Sequence, residues 1–236
     1  MIIEALYPEI CNLFGDRANV SYFARAAGAR VIETPLGAPP AFTRERVDLV
    51  YLGSMTERSQ EYAIGALREY ADALRARIAS GGAIFATGNA LELFCERIMA
   101  DGGEIAALGI LPASARRFLP RRYNGLYLGS FEDIKIVGFN SRFSEIADGG
   151  GAPSLFKTER GAGRDGRPLS DEGFRVNNFL ATYLLGPLLI LNPPFTKKLL
   201  RSLGASICSL PFEDAAMASY EKRLREFSDP KTGFEY

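Results

Sequence analysis

The stretch Gly81-Gly82-Ala83-Ile84-Phe85-Ala86-Thr87-Gly88-Asn89-Ala90-Leu91 decides the fold. Its two opening glycines close a helical pattern in the manner of a C-cap. Before them Ile64, Leu67, Ala71, Leu74 and Ile78 recur at helical spacing, with Arg68, Glu69 and Arg75 off that stripe. Residues 83–86 are then an unbroken apolar run, the signature of a buried strand, and a helix is expected over 90–100. The same alternation runs upstream. Strands are expected at 2–6, 30–33 and 48–52, with a loop over 7–17 and a helix over 19–27 that turns Tyr22, Phe23 and Ala26 inward. Residues 35–40 read as irregular. Strands alternating with helices argue for an α/β fold with a mostly parallel sheet covered on both faces.

The second half changes style. Residues 126–131 and 134–139 read as paired strands, an antiparallel extension. Residues 148–173 are rich in Gly, Pro and charge and read as a long mobile loop. Another buried strand is expected at 178–184, followed by amphipathic helices at 194–203 and 212–227. No repeat and no domain linker interrupts the chain.

Composition narrows the chemistry. The 236 residues carry 28 basic and 28 acidic side chains, no histidine and no tryptophan. Zero net charge removes the electrostatic case for nucleic acid or an anionic membrane. Histidine is the usual general base near neutral pH and the commonest metal ligand. Its absence excludes a Ser-His-Asp triad, a Cys-His pair and a Cys₂His₂ site within this chain. Cys11, Cys95 and Cys208 are odd in number, far apart and form no CxxC, so buried reduced thiols are expected rather than disulfides or a metal site. The N-terminal run includes Glu4 and lacks a basic region, unlike a signal peptide. The apolar stretch 179–191 is too short to span a bilayer. A cytoplasmic location is expected, where the sequon Asn19-Val20-Ser21 is idle.

Gly161-Ala162-Gly163-Arg164-Asp165-Gly166 fits GxGxxG, but that motif cradles a pyrophosphate only between a strand and a helix. Here Arg167-Pro168 follows at once, so a flexible glycine loop is expected. Arg116-Arg117 and Arg121-Arg122 form a basic cluster read as a solvated loop balanced by nearby acids. Asn124 and Asn140 suit either an amide ligand or a turn.

Three segments, taken together, resemble a known family. They are Leu6-Tyr7-Pro8 with Asn12-Leu13-Phe14-Gly15-Asp16-Arg17-Ala18-Asn19-Val20; the strand-turn-helix around Thr87-Gly88-Asn89; and Asn178-Phe179-Leu180-Ala181-Thr182-Tyr183-Leu184-Leu185-Gly186-Pro187 closed by Asn192-Pro193. Weaker echoes are Gly53 followed by Glu57-Arg58 and Gln60, and Gly138-Phe139. In order and spacing they resemble class I glutamine amidotransferases of the cobyric acid synthase type, and among them the small subunits of lipid II isoglutaminyl synthase. The resemblance implies a flavodoxin-like sheet, an amidotransferase-like domain over residues 1–205 and a C-terminal helical extension over 206–236. It implies a Mur-ligase-like partner fed with ammonia, glutamine or another small amide as ligand, and neither cofactor nor metal.

The resemblance departs from the family where the chemistry should be. Aligned on the glycine pair, Thr87 stands where the family carries its cysteine nucleophile and Leu185 where it carries its histidine base. Arg142 matches another family histidine, and Asp16 matches a supporting acid. A neutral alcohol is a poor nucleophile without an adjacent base. In a comparable nucleophile–base unit, losing either member costs about 10⁶-fold in turnover. What an oxyanion hole and binding leave is roughly 10³–10⁴ over water. The expectation is a scaffold that has lost glutaminase chemistry, with Gly53, Thr87, Gly88, Asn89 and Arg142 lining a remnant ligand pocket. Its alternatives are an active enzyme with Thr87 as nucleophile and Asp16 as base, and a small-amide-binding module. Cys95 is expected to pack in the core with Leu91 and Ile98.

Overall fold

The computed structural model describes residues 1–206 and 209–235; Cys208 lies outside the described residues. The first layer runs β1 (Ile2–Leu6), α1 (Arg17–Ala27), β2 (Arg30–Thr34), β3 (Leu49–Leu52), α2 (Glu57–Leu67), α3 (Ala71–Ala79) and β4 (Ala83–Thr87). The antiparallel part follows as β5 (Arg97–Ala100), β6 (Gly103–Ala106), β7 (Ser114–Arg117), β8 (Tyr123–Phe131), β9 (Ile134–Arg142), β10 (Ser144–Asp148), β11 (Lys157–Arg160) and β12 (Phe174–Val176). The chain then returns to the main sheet with β13 (Phe179–Thr182) and ends in α4 (Leu188–Leu191), α5 (Pro193–Ser202) and α6 (Glu213–Ser228).

Among the described residues the main sheet has the order β12-β13-β4-β3-β1-β2, parallel except for the edge strand β12. Its central strands are apolar on both faces, as a doubly covered parallel sheet requires. Val50, Leu52, Ile84 and Ala86 meet Ile64, Leu67, Leu74 and Ile78 of α2 and α3 on one face. Leu49, Tyr51, Ala83 and Phe85 meet Val20 and Phe23 of α1 and Phe195 of α5 on the other. The flavodoxin-like reading is therefore correct, and β4 lies in the middle of the sheet with its C-terminal end where the three family-like segments converge.

Two smaller sheets extend this core, β10-β7-β5-β6 and β11-β8-β9. The expected pair at 126–131 and 134–139 is the long β8–β9 hairpin. A third apolar cluster, around Leu128, Val137, Tyr220 and Phe227, seats α6 on that hairpin. Arg160 ties down the final turn by donating to the carbonyls of Phe227, Asp229 and Thr232 while stacking on Phe234.

The structure corrects four local expectations. The helix expected over 90–100 is a short 3₁₀ segment, Gly88–Phe94, followed by β5. The carbonyls of Leu93, Phe94 and Cys95, which a continuing helix would have used, accept instead from Leu108, Gly109, Ile110 and Leu111. The long helix through 64–78 is two helices joined by a 3₁₀ turn at Arg68–Tyr70; Gly81, just past the C-cap Ser80, has the expected left-handed φ of 81°. Residues 148–173 are not a structureless loop. They contain β11, and Phe156 and Glu172 exchange backbone hydrogen bonds while fully buried. The basic cluster is split, because Arg117 sits in β7 and buries its guanidinium against Gln60 and Glu61, with Arg122 left outside on Phe143.

Candidate functional site

β4 ends at Thr87, and the sharp turn that follows is made by Gly88, whose φ is +61°. Only a residue that tolerates this region turns the chain so abruptly. The Thr87 side chain points away from the turn, into the protein, and is fully buried. Its Oγ1 donates to Asp16 Oδ2 at 2.5 Å and lies 2.9 Å from the Tyr51 hydroxyl. Asp16 Oδ2 also accepts from the Ser54 N–H at 2.6 Å, and its Oδ1 accepts from Asn19 Nδ2 at 2.9 Å. Asn19 donates to the Tyr51 hydroxyl as well, and its Oδ1 accepts from the Leu189 N–H at 2.8 Å. With the Thr87 proton on Asp16, the Tyr51 hydroxyl supplies its own proton to Thr87, and the chain of donors closes. Burial pushes the Asp16 carboxyl above its ordinary value, and the hydrogen bonds from Thr87 and Ser54 pull partly back.

Gly88, not Thr87, is therefore the residue at the tip, one position later than the expectation. A Cβ there would lie 2.5 Å from Ser54 Cβ and 2.9 Å from Leu185 Cδ2. The tip thus faces Leu185, which is itself buried and held by its N–H on the Phe139 carbonyl at 3.0 Å. A cavity of about 310 Å³ opens beside them, lined in part by Gly88, Asn89, Leu185, Tyr183, Arg142 and Arg122.

Of the five positions expected to line a ligand pocket, Gly88, Asn89 and Arg142 border this cavity, whereas Gly53 and Thr87 do not reach it; nor does Asp16, expected as the supporting acid. Gly53 has another duty: a Cβ there would strike the Cys11 carbonyl at 2.4 Å, so its bareness lets two backbones meet. The Asn89 amide is engaged, accepting from the Met55 N–H and donating to the Met55 carbonyl. Arg142 stacks on Tyr183 at 4.2 Å and donates from Nη2 and Nη1 to the carbonyls of Gly163 and Arg164.

Those carbonyls belong to the GxGxxG stretch, which is a turn between β11 and β12 with no helix after it. Asn124 serves the hairpin, accepting from Ser141 Oγ at 2.8 Å. Cys11 and Cys95 are buried, and desolvation pushes both thiols up. Among the described residues no group of three His, Cys, Asp or Glu side chains could hold a metal ion.

Sequence reasoning missed a second buried acid. Glu92 accepts from the Tyr183 hydroxyl at 3.0 Å, from Gln60 Nε2 at 3.0 Å and from Ser144. Burial raises its carboxyl, with Ser144, Gln60 and Tyr183 opposing. The signal was present: a lone acid inside the apolar run Leu91-Glu92-Leu93-Phe94 must find partners. Glu92 ties the 3₁₀ segment to Gln60 of α2 and to Tyr183, which lines the cavity.

The family model of the CobB/CobQ-like glutamine amidotransferase domain matches residues 2–192. The chain belongs to that family. This amidotransferase-like domain is 26% identical over 206 residues to the lipid II isoglutaminyl synthase (glutamine-hydrolyzing) subunit GatD of Staphylococcus aureus (strain N315), covering 86% of this chain and 83% of GatD. A crystal structure of a glutamine amidotransferase superposes with a TM-score of 0.58 at 17% identity, covering 86% of this chain and 99% of that one. PurLQS from Thermotoga maritima superposes at 0.55 with 10% identity, covering 94% and 98%. These two likenesses carry the fold alone. Among the described residues no helix is long and apolar enough to cross a membrane.

Proposed function

We propose that this amidotransferase-like chain is a non-catalytic subunit that keeps the family scaffold beside an ATP-dependent, Mur-ligase-like amidating partner in cell-wall precursor chemistry. One observation carries the reading. The residue at the tip of the β4 turn is Gly88, which has no side chain to act as a nucleophile, and the residue packed against it is Leu185, which can accept no proton. GatD, described as a subunit of a lipid II amidating enzyme, supports the partner and the pathway. On this reading the subunit is cytoplasmic, residues 1–205 form the amidotransferase-like domain, and 206–236 are its extension. Glutamine or another small amide is the ligand its cavity would take.

A second reading has its own observation. The Thr87 hydroxyl donates to a buried Asp16 whose carboxyl is raised, which is nucleophile–base geometry. Against it, both groups are shut away from the cavity, and two other donors, the Ser54 N–H and Asn19 Nδ2, claim Asp16.

Glutamine hydrolysis by the purified chain, alone and mixed with a Mur-ligase-like partner, separates the two. The expected result is background release of ammonia, with the assembled pair using free ammonium but not glutamine. Hydrolysis that disappears in Thr87→Ala overturns the non-catalytic reading. The double variant Thr87→Cys with Leu185→His is expected to stay at background, because the new thiol would point at Asp16 rather than into the cavity.

A further inference from the structure

We propose that Tyr123, Asn140, Arg142 and Glu172 enclose a binding site for ordered water that is a built-in part of the fold. The register of the β8–β9 hairpin puts these groups in one layer. Tyr123 is paired with Arg142 and Gly125 with Asn140, and directly opposed residues of an antiparallel pair project to the same face. On that face Gly125 and Gly138 contribute no side chain, and their neighbours close in over them: a Cβ on Gly125 would lie 2.4 Å from the Tyr123 hydroxyl, and one on Gly138 would touch Leu184. The layer is covered by residues 183–185, whose Tyr183 ring stacks on Arg142. Glu172 completes the wall, with Oε1 accepting from the Tyr183 N–H at 2.7 Å and from Thr182 Oγ1 at 2.9 Å.

Within this shell five buried polar atoms have no protein partner: Tyr123 OH, Asn140 Nδ2, Asn140 Oδ1, Arg142 Nε and Glu172 Oε2. Asn140 and Glu172 are fully buried and Arg142 is 5% exposed. Buried polar groups are as a rule hydrogen-bonded, so this concentration at one place points to an occupant. The set holds donors (Arg142 Nε, Asn140 Nδ2), acceptors (Glu172 Oε2, Asn140 Oδ1) and a hydroxyl that is both. Water both donates and accepts, and a buried water usually makes about three hydrogen bonds to such groups. A monovalent cation would face two N–H donors and the Arg142 charge, which disfavours it.

A crystal structure of the full chain at a resolution that places ordered water, repeated after a rubidium soak, tests this. The expected result is density within hydrogen-bonding distance of at least two of the five atoms, with no anomalous signal there. No density there, the four side chains paired with one another, or a rubidium peak would each overturn the proposal. Asn140→Leu supplies a second readout. It should lower Tm, because it withdraws the central donor and acceptor from water that Arg142 and Glu172 still need. A rise in Tm would mean that the site prefers an apolar filling, and the proposal would fail.

Discussion

Asp16 and Asn140 are both fully buried polar side chains, and the protein treats them in opposite ways. Around Asp16 every donor has an acceptor: Ser54, Thr87, Asn19 and Tyr51 form a closed set in which the protein satisfies itself. Around Asn140 no protein atom answers either end of the amide. Closure marks the Asp16 cluster as a strut that joins the segment before α1 to β3 and β4. Openness marks the Asn140 layer as a place that expects something from outside the chain. A hydroxyl beside a carboxylate is therefore not by itself evidence of a reactive centre; what matters is whether the pair faces a cavity or a wall.

The largest test of the contrast is Asp16→Ala. It removes the acceptor from three buried donors, each costing about 1–3 kcal/mol when orphaned, so a loss of roughly 3 kcal/mol or more is expected in chemical denaturation. A loss below about 1 kcal/mol would mean that the cluster is not closed. Next comes Gly88→Ala, which forces a Cβ to 2.5 Å from Ser54 Cβ at a left-handed φ. A loss of about 1–3 kcal/mol should appear in the same assay. Thr87→Val keeps the shape and removes the hydroxyl, and should cost about 1–2 kcal/mol, whereas Thr87→Ser keeps the bond and should cost less. Equal losses for the two would show that packing rather than the Asp16 bond matters at this position.

The smallest effect is read against pH. Because the folded state raises the Asp16 carboxyl above its ordinary 3.8, folding binds its proton more tightly than the unfolded chain does. The stability it contributes is fully present below that ordinary value and is lost as pH rises through the raised one. Glu92 and Glu172 are raised by burial and act in the same direction. Wild-type protein should therefore lose more Tm between about pH 4 and neutrality than Asp16→Asn does. Parallel pH profiles for the two would break the assignment.

Much of this fold was legible because its central strands are short, wholly apolar runs separated by helical stripes. Residues 48–52, 83–86 and 178–184 could be placed from pattern alone. What was not legible shares one cause, competition for backbone groups from distant segments. Nothing within 90–100 announces that the carbonyls of residues 93–95 will be taken by residues 108–111. Nothing in the glycine-rich run 148–173 announces that Phe156 and Glu172 will pair in the interior. At the candidate site the family-like segments do meet at the turn after β4, but the tip of that turn is Gly88 rather than Thr87.

By itself the sequence determined that this chain has no imidazole, that its sheet is mostly parallel and covered on both faces, and that it carries the marks of an amidotransferase. Composition and periodicity are properties of the chain and need no coordinates. Only the tertiary structure decided which way Thr87 points. Adjacent strand residues face opposite sides, and a single left-handed residue moves the tip of a turn by one position. The difference between a hydroxyl aimed at a cavity and one sealed against Asp16 is thus a matter of one dihedral angle at Gly88 and of three side chains, Asp16, Asn19 and Tyr51, brought in from elsewhere.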